Sequence, residues 1–392
     1  MNHGEPVRPK DKFLVFGAPC IEEDDINEVV DSMRKRWIGT GPKTARFEEM
    51  FAEYKKVRHA VAVNSCTAAL HLAILAVGIR SGDEVITTPM TFCATVNAII
   101  HAGGVPVLAD CDRNTMNIDP SEIERKISPK TRAILVVHMA GRPCEMDDIM
   151  NIARRYDLAV IEDCAHAIET EYHGTPAGCF GQAGCFSFYV TKNITTGEGG
   201  MIITNSDSIA ERVKIMALHG MTKDAWRRFS DEGYKHYEVI HIGFKYNMTD
   251  MQAAIGIHQI KRIEKYWRRR QEIWKIYNDH FCDLPVFTPL DPAPDTVHAY
   301  HLYTPLIDID RLGKSRDWVI QALTNEGIGV GVHYLPVHWH PFYRKAFGWR
   351  KGDFPNADWI GERTISLPLS GCMTDEDVHD VIVAFRKVLG GN

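Results

Sequence analysis

The amino-acid sequence predicts a two-domain α/β protein, with a mixed, mostly parallel sheet in a large domain and a smaller α+β unit at its C-terminal end. Three observations carry this expectation. The chain has 392 residues, 45% of them hydrophobic, which is more than one compact core usually holds. From about Val61 short apolar runs alternate with helical stretches, the pattern of a sheet covered on both faces. After a Pro-rich segment at 284–294 that alternation gives way to a short strand–helix–strand–helix series.

Residues 1–12 read as a polar extension, because Glu5, Pro6 and Pro9 stand where a secretory signal needs an apolar core. Residues 13–260 form the expected large domain and residues 261–392 the small one. Apolar strands are expected at 61–63, 84–87, 105–109, 133–138 and 158–161, with helices at 68–77, 91–102, 120–127 and 146–155 between and after them. Strands at 185–190 and 201–204 flank the turn Gly197-Glu198-Gly199-Gly200, a spacing that suits a hairpin and makes the sheet mixed. One long helix is expected over 249–281, carrying the chain out of this domain. Strand 298–306, helix 315–325, strand 329–334 and helix 375–389 complete the small unit.

The 45 basic and 51 acidic side chains give a net charge of −6 without long runs of one sign, which argues against nucleic acid as a partner. No stretch reaches transmembrane length, so no membrane association and a cytoplasmic location are expected. Ten scattered cysteines without a Cys-x-x-Cys pair suggest reduced, mostly buried thiols. His333, His338 and His340 could suggest a metal site, but Pro336 intervenes and no carboxylate ligand is near in sequence, so no metal is expected.

Chemistry concentrates in three segments. Asp163 ends the apolar run of Val160-Ile161-Glu162-Asp163, at the sheet edge where α/β folds bind ligands. Lys192 follows the aromatic strand Phe186-Ser187-Phe188-Tyr189 and precedes the Gly-rich turn; a desolvated lysine favours the neutral amine that condenses with a carbonyl. Asn64-Ser65-Cys66-Thr67-Ala68 is a small-residue turn opening a helix, whose free N–H groups and dipole suit a phosphate. Each segment alone has an ordinary structural explanation, Ser65 as a helix cap above all. Their combination in one sheet selects pyridoxal 5'-phosphate.

At these residues the sequence resembles the sugar aminotransferases of the DegT/DnrJ/StrS type, within the fold-type I (aspartate aminotransferase-like) family of pyridoxal-phosphate enzymes. The resemblance rests on Trp37-Ile38-Gly39-Thr40-Gly41-Pro42, Pro89-Met90-Thr91-Phe92-Cys93-Ala94-Thr95, Glu162-Asp163-Cys164-Ala165-His166-Ala167, the run from Phe186 to Gly200, and the run from Tyr246 to Ala254. It implies that Lys192 holds the cofactor as a Schiff base, that Asp163 pairs with the pyridine nitrogen, and that Phe92 stacks on the ring. Thr67, Ala68 and Ser187 match phosphate-binding positions, and His166 a position beside the ring hydroxyl. Asn247 matches a residue that reaches the neighbouring subunit's cofactor, which implies a homodimer with shared active sites. Gly39, Thr40, His333, Tyr334 and His338 match loops that line the sugar site.

The implied reaction moves an amino group from L-glutamate to a nucleotide-linked keto sugar, by ping-pong kinetics with pyridoxamine phosphate as the intermediate form. Residues 219–226 and 246–250 look more like members that aminate position 4 of a 6-deoxy sugar than position 3. A keto-cyclitol acceptor would leave the same cofactor site. Dehydrating relatives carry histidine where this chain has Lys192, and a non-catalytic cofactor-binding regulator is disfavoured by the complete set of residues.

Overall fold

The computed structural model describes residues 5–222 and 237–390. Twelve strands occur in that span. They are β1 (His59–Val63), β2 (Glu84–Thr87), β3 (Val105–Leu108), β4 (Thr131–Val137), β5 (Ala159–Asp163), β6 (Glu171–Tyr172), β7 (Thr175–Pro176), β8 (Ala183–Ser187), β9 (Gly200–Thr204), β10 (Val286–Phe287), β11 (Thr296–Val297) and β12 (Leu306–Ile307). Seven of these build the central sheet in the order β1-β9-β8-β5-β4-β2-β3. The ladders joining β8, β5, β4, β2 and β3 are parallel, and β9 runs antiparallel to both of its neighbours. The sheet is therefore mixed and mostly parallel, and 197–200 closes a hairpin, as the sequence implies.

The continuous apolar character of the strands follows from burial on both faces. On one face Val61, Val85, Leu135, Ile161 and Ile202 share a core with helix Cys66–Ala76 and helix Asp207–Ala217. On the other, Ile134, Val136 and Val160 meet helix Met146–Tyr156, while Phe186, Met201 and Ile203 meet Phe47, Phe51 and Ile257. A separate cluster from Ile273 to Leu389 forms the C-terminal core around Trp274, Tyr277, Tyr303 and Phe385. No helix among the described residues is long and apolar enough to cross a membrane.

Several expected elements are corrected. The helix expected over 249–281 is two helices, Asp250–Lys261 and Ile263–Phe281, because Arg262 leaves helical geometry (φ −105°, ψ 3°) with its guanidinium paired to Asp25. The strand expected at 298–306 shrinks to β12. Tyr300 takes a positive φ of 48°, and the N–H groups of Ala299 and His301 donate to Gly141 and Ala140 rather than to a ladder. At 329–334 Gly329 donates to Leu14 but Gly331 to Ser366, so two different partners replace one strand. The strand expected at 185–190 ends at Ser187, which places Lys192 in the following turn. Helices Glu23–Arg34, Pro42–Lys55, Asp207–Ala217, Pro341–Phe347 and Pro355–Gly361 add to those expected. Residues 223–226 of the run compared with 4-aminating members lie outside the described residues.

The cysteine expectation also changes. Cys20 and Cys372, 352 positions apart, are joined by a disulfide with Cα atoms 5.8 Å apart. Such a pairing is created by the fold and has no local sequence signature. Cys111, Cys144, Cys164 and Cys185 are buried free thiols, and Cys282 is exposed.

Asp250 ties the start of helix Pro42–Lys55 to helix Asp250–Lys261. Its Oδ1 accepts from Gly41 N (2.7 Å), Thr44 N (2.9 Å) and Thr44 Oγ1 (2.7 Å), and its Oδ2 from Lys43 N (3.0 Å). The side chain is buried, so its removal leaves several donors unpaired. Asp250→Ala should therefore destabilise the protein by about 3 kcal/mol in urea unfolding, and Asp250→Asn, which keeps one acceptor oxygen, by about half as much. Equal losses from both variants would contradict this capping role.

Candidate active site

The carboxyl ends of β4, β5 and β8 and the start of helix Cys66–Ala76 surround a pocket of about 440 Å³, within the size range of small-molecule sites. Gly200 makes the close approach possible: a Cβ there would lie 2.5 Å from the Ser65 backbone, so any side chain would drive the helix start away from the hairpin. Thr67, Phe92, Asp163, His166, Ser187, Lys192, His333 and Tyr334 all line this one pocket. Residues separated by up to 267 positions in the chain thus meet at the sheet edge, from Thr67 to Tyr334.

Asp163 is the last residue of β5 and is 5% exposed. Its Oδ2 accepts from Thr95 Oγ1 at 2.8 Å and its Oδ1 from Ala165 N at 3.1 Å. Thr95, so committed, accepts in turn from Thr91 Oγ1 at 2.7 Å. Burial nevertheless outweighs these donors and raises the Asp163 carboxyl above its ordinary value. A cation would relieve that cost. Lys192 lies half-buried in the turn after β8, where burial lowers its ammonium to about 8. Nearby Cys66 and Asp163 oppose that shift.

His166 is buried and held neutral by burial first and by the charge of Lys192 second. Ala140 N–H donates to its Nδ1 at 3.3 Å, so the ring proton sits on Nε2 and is directed to Tyr334 Oη at 3.0 Å. The tyrosine hydroxyl hydrogen is thereby left for a ligand. Phe92 is 56% exposed at the pocket wall, 5.8 Å from the Tyr334 ring. His333 Nδ1 lies 2.7 Å from Ser366 Oγ, and burial lowers its imidazolium to about 4.

At the helix start Ser65 Oγ already accepts from Ala68 N at 3.1 Å, and Ala68 is buried. Ser65 is a cap, and of the expected phosphate contacts Thr67 and Ser187, not Ala68, reach the pocket wall. The free N–H groups at Cys66 and Thr67 together with these hydroxyls suit a phosphate. A buried carboxylate short of a cation, a low-pKa lysine and an anion-binding helix start in one cavity fit pyridoxal phosphate, which carries a ring nitrogen, an aldehyde and a phosphate.

Besides Ala68, four expected residues lie outside the pocket. His338 is fully buried and bonded to Asp358 Oδ1 at 2.8 Å, so it is corrected from a substrate contact to a structural group. Gly39, Thr40 and Asn247 gather beside the pocket rather than in it: Asn247 Nδ2 donates to Thr40 Oγ1 at 2.6 Å, Thr40 Oγ1 to Met248 O at 2.5 Å, and Gly39 O accepts from Asp250 N. The sequence reading missed Thr95, although it lies in the quoted Pro89 to Thr95 motif. It also missed Cys66, which sits inside the phosphate turn.

The chain matches the DegT/DnrJ/EryC1/StrS aminotransferase family over residues 19–386. MJ1066 of Methanocaldococcus jannaschii, an uncharacterized protein, is 52% identical over 383 residues, covering 98% of this chain and 99% of its own. SpsC of Bacillus subtilis, a spore coat polysaccharide biosynthesis protein, is 46% identical over 387 residues, covering 98% and 99%. Among solved structures, Spr1654 from Streptococcus pneumoniae in a PMP form is 32% identical with a TM-score of 0.90, covering 96% of this chain and 99% of its own. Its PLP form matches with a TM-score of 0.89. Fold, pocket and relatives agree: the chain belongs to the DegT/DnrJ/EryC1/StrS aminotransferase family.

Proposed function

We propose that this chain is a pyridoxal-phosphate-dependent transaminase that moves an amino group from L-glutamate to a nucleotide-linked keto sugar, a 4-keto-6-deoxy sugar by preference. The observation that carries the reading is the pairing of Lys192 and Asp163 in one pocket, the amine shifted down and the carboxyl shifted up by the same burial. When bound, the cofactor supplies an aldehyde to take the amino group and a ring to withdraw electrons, so that donor and acceptor react in two successive half-reactions. Lys192 tethers it, and once displaced its Nζ moves a proton at the donor's α-carbon. Asp163 holds the ring nitrogen protonated. Phe92 covers the ring, Thr67 and Ser187 hold the phosphate, and His166 orients Tyr334 toward the ligand. His333 and Tyr334 meet the sugar. The family match and the spore coat polysaccharide role of SpsC support a sugar acceptor.

Residues 13–260 are read as the cofactor domain and 261–392 as the small domain, supported by the helix break at Arg262 and the separate C-terminal core. The working unit is a cytoplasmic homodimer in which Gly39, Thr40 and Asn247 serve the partner's site, which accounts for their place beside this chain's own pocket.

Four measurements check this reading. Lys192→Ala should lose the visible absorbance of bound cofactor and all turnover while staying folded; a retained band and activity would remove Lys192 from the role. Asp163→Asn should lose turnover by roughly 10²-fold, about 3 kcal/mol of charge pairing, with a smaller loss of cofactor affinity. Near-normal turnover there contradicts the electron-sink role.

In cofactor-free protein a neutral amine is needed for attack. Because the Lys192 ammonium is lowered to about 8, the rate of cofactor capture should rise with pH through a midpoint near 8 and level off above it. A stopped-flow profile still rising steeply to pH 10 would show an ordinary lysine. Mixing Lys192→Ala with Asn247→Ala chains should restore roughly a quarter of wild-type activity, since half the dimers are hybrids with one intact site. Activity no higher than the parents' average would mean that Asn247 only braces Thr40 within its own chain, the following helix being capped by Thr249.

A further inference from the structure

Glu169 and Arg270 form an ion pair with side chains only 4% and 3% exposed. Such a pair costs more than it returns unless its remaining groups are also bonded. Glu169 Oε2 accepts from Asn193 Nδ2 at 2.7 Å, and the same Nδ2 donates to Ala299 O at 3.1 Å. The Asn193 amide therefore has one orientation, with Oδ1 as its acceptor. His301 Nδ1 lies 2.8 Å from that oxygen. Burial keeps His301 neutral, so Nδ1 carries the proton and Nε2 keeps its lone pair.

The His301 ring packs on the His166 ring, centroids 4.5 Å apart. Both histidines are clamped by one residue: His301 N donates to Ala140 O at 3.1 Å, and Ala140 N donates to His166 Nδ1. At the other end, Arg270 and Lys192 line a common cavity of about 20 Å³, and Arg270 Nε is buried without a partner among the described residues.

We propose that Glu169, Arg270, Asn193 and His301 are positioning residues of the active site. The charge-balanced pair fixes the Asn193 amide beside Lys192, and Asn193 fixes the His301 tautomer that supports His166. The inference rests on the proposed roles of Lys192 and His166. Two features act together: a hydrogen-bond chain that allows one arrangement, and two opposite charges that together place no net charge near the lysine. The other ionisable groups around Lys192 are Asp163, Cys66, His166, His301, His333, Tyr189, Glu198, Tyr266 and Tyr334, and Tyr54 and Lys55 flank the pair. Of these only His301 is substituted below, and not in the variants that read the pH midpoint.

Glu169→Gln keeps the shape and the acceptor for Asn193 but leaves the Arg270 cation unbalanced. A nearby positive charge disfavours protonation at Lys192, so the pH midpoint of the visible band of the lysine-bound cofactor should fall by about one unit. Adding Arg270→Met removes the stray charge and should return the midpoint most of the way. A merely structural role predicts the opposite, a double variant no better than the single one. An unmoved midpoint in Glu169→Gln, or a double variant that does not return, overturns the proposal.

If Glu169→Gln does not fold, His301 carries the test. His301→Asn presents an amide N–H where Nδ1–H was, whereas His301→Phe keeps the ring without the donor. At matched thermal stability, His301→Asn should retain roughly tenfold more turnover, and equal or reversed rates overturn the proposal. The Lys192 reading fails separately, when the wild-type band is absent or survives Lys192→Ala.

Discussion

At the carboxyl edge of the central sheet ionisable groups are taken out of water, and the character of the pocket follows from that. The pocket holds Asp163, Lys192, His166 and His333, and burial is the first cause of the shift in each. Low dielectric pushes the carboxyl up and the three bases down, so every group is brought toward its neutral form. A cavity in that state binds best a ligand that returns the missing charges. Pyridoxal phosphate brings a ring nitrogen able to face Asp163 and a phosphate able to face the helix start at Thr67.

The scaffold keeps those groups in reach at little cost in flexibility. Parallel pairing places the end of β5 beside β8 in fixed register, Asp163 opposite Cys185. The antiparallel return of β9 forces the chain to turn immediately after the aromatic strand, and Lys192 N–H donates to Tyr189 O within that turn at 2.9 Å. Thr196 N returns to Phe188 O at 2.9 Å, and Gly197 takes the positive φ of 77° that the turn requires. The lysine is therefore carried by a loop bonded at both ends. The Glu169–Arg270 pair adds a tie from helix Ile263–Phe281 to the residue after it.

The alternating strands and helices of the sheet were legible because burial on both faces writes itself as continuous apolar runs, and Asp163 and Lys192 stood out as charges beside such runs. The C-terminal unit was less legible. Its residues 298–306 look like a strand by composition, but Tyr300 and the carbonyls of Ala140 and Gly141 decide otherwise, and those partners lie about 160 positions away. The same holds for His338, which reads as a site histidine beside Tyr334 until Asp358 is seen to claim it. Ala68 failed for a local reason: Ser65 caps the N–H a phosphate would have used. His301 and Arg270 carry no motif at all, and only their contacts reveal them.

The proposed chemistry requires that the cofactor be covalently attached to Lys192. Borohydride reduction of the holoenzyme, followed by proteolysis and peptide mass mapping, tests it directly. One pyridoxyl-phosphate adduct per chain, on Lys192, is expected. An adduct on another lysine, or none after reduction of a protein that carries the cofactor, would contradict it.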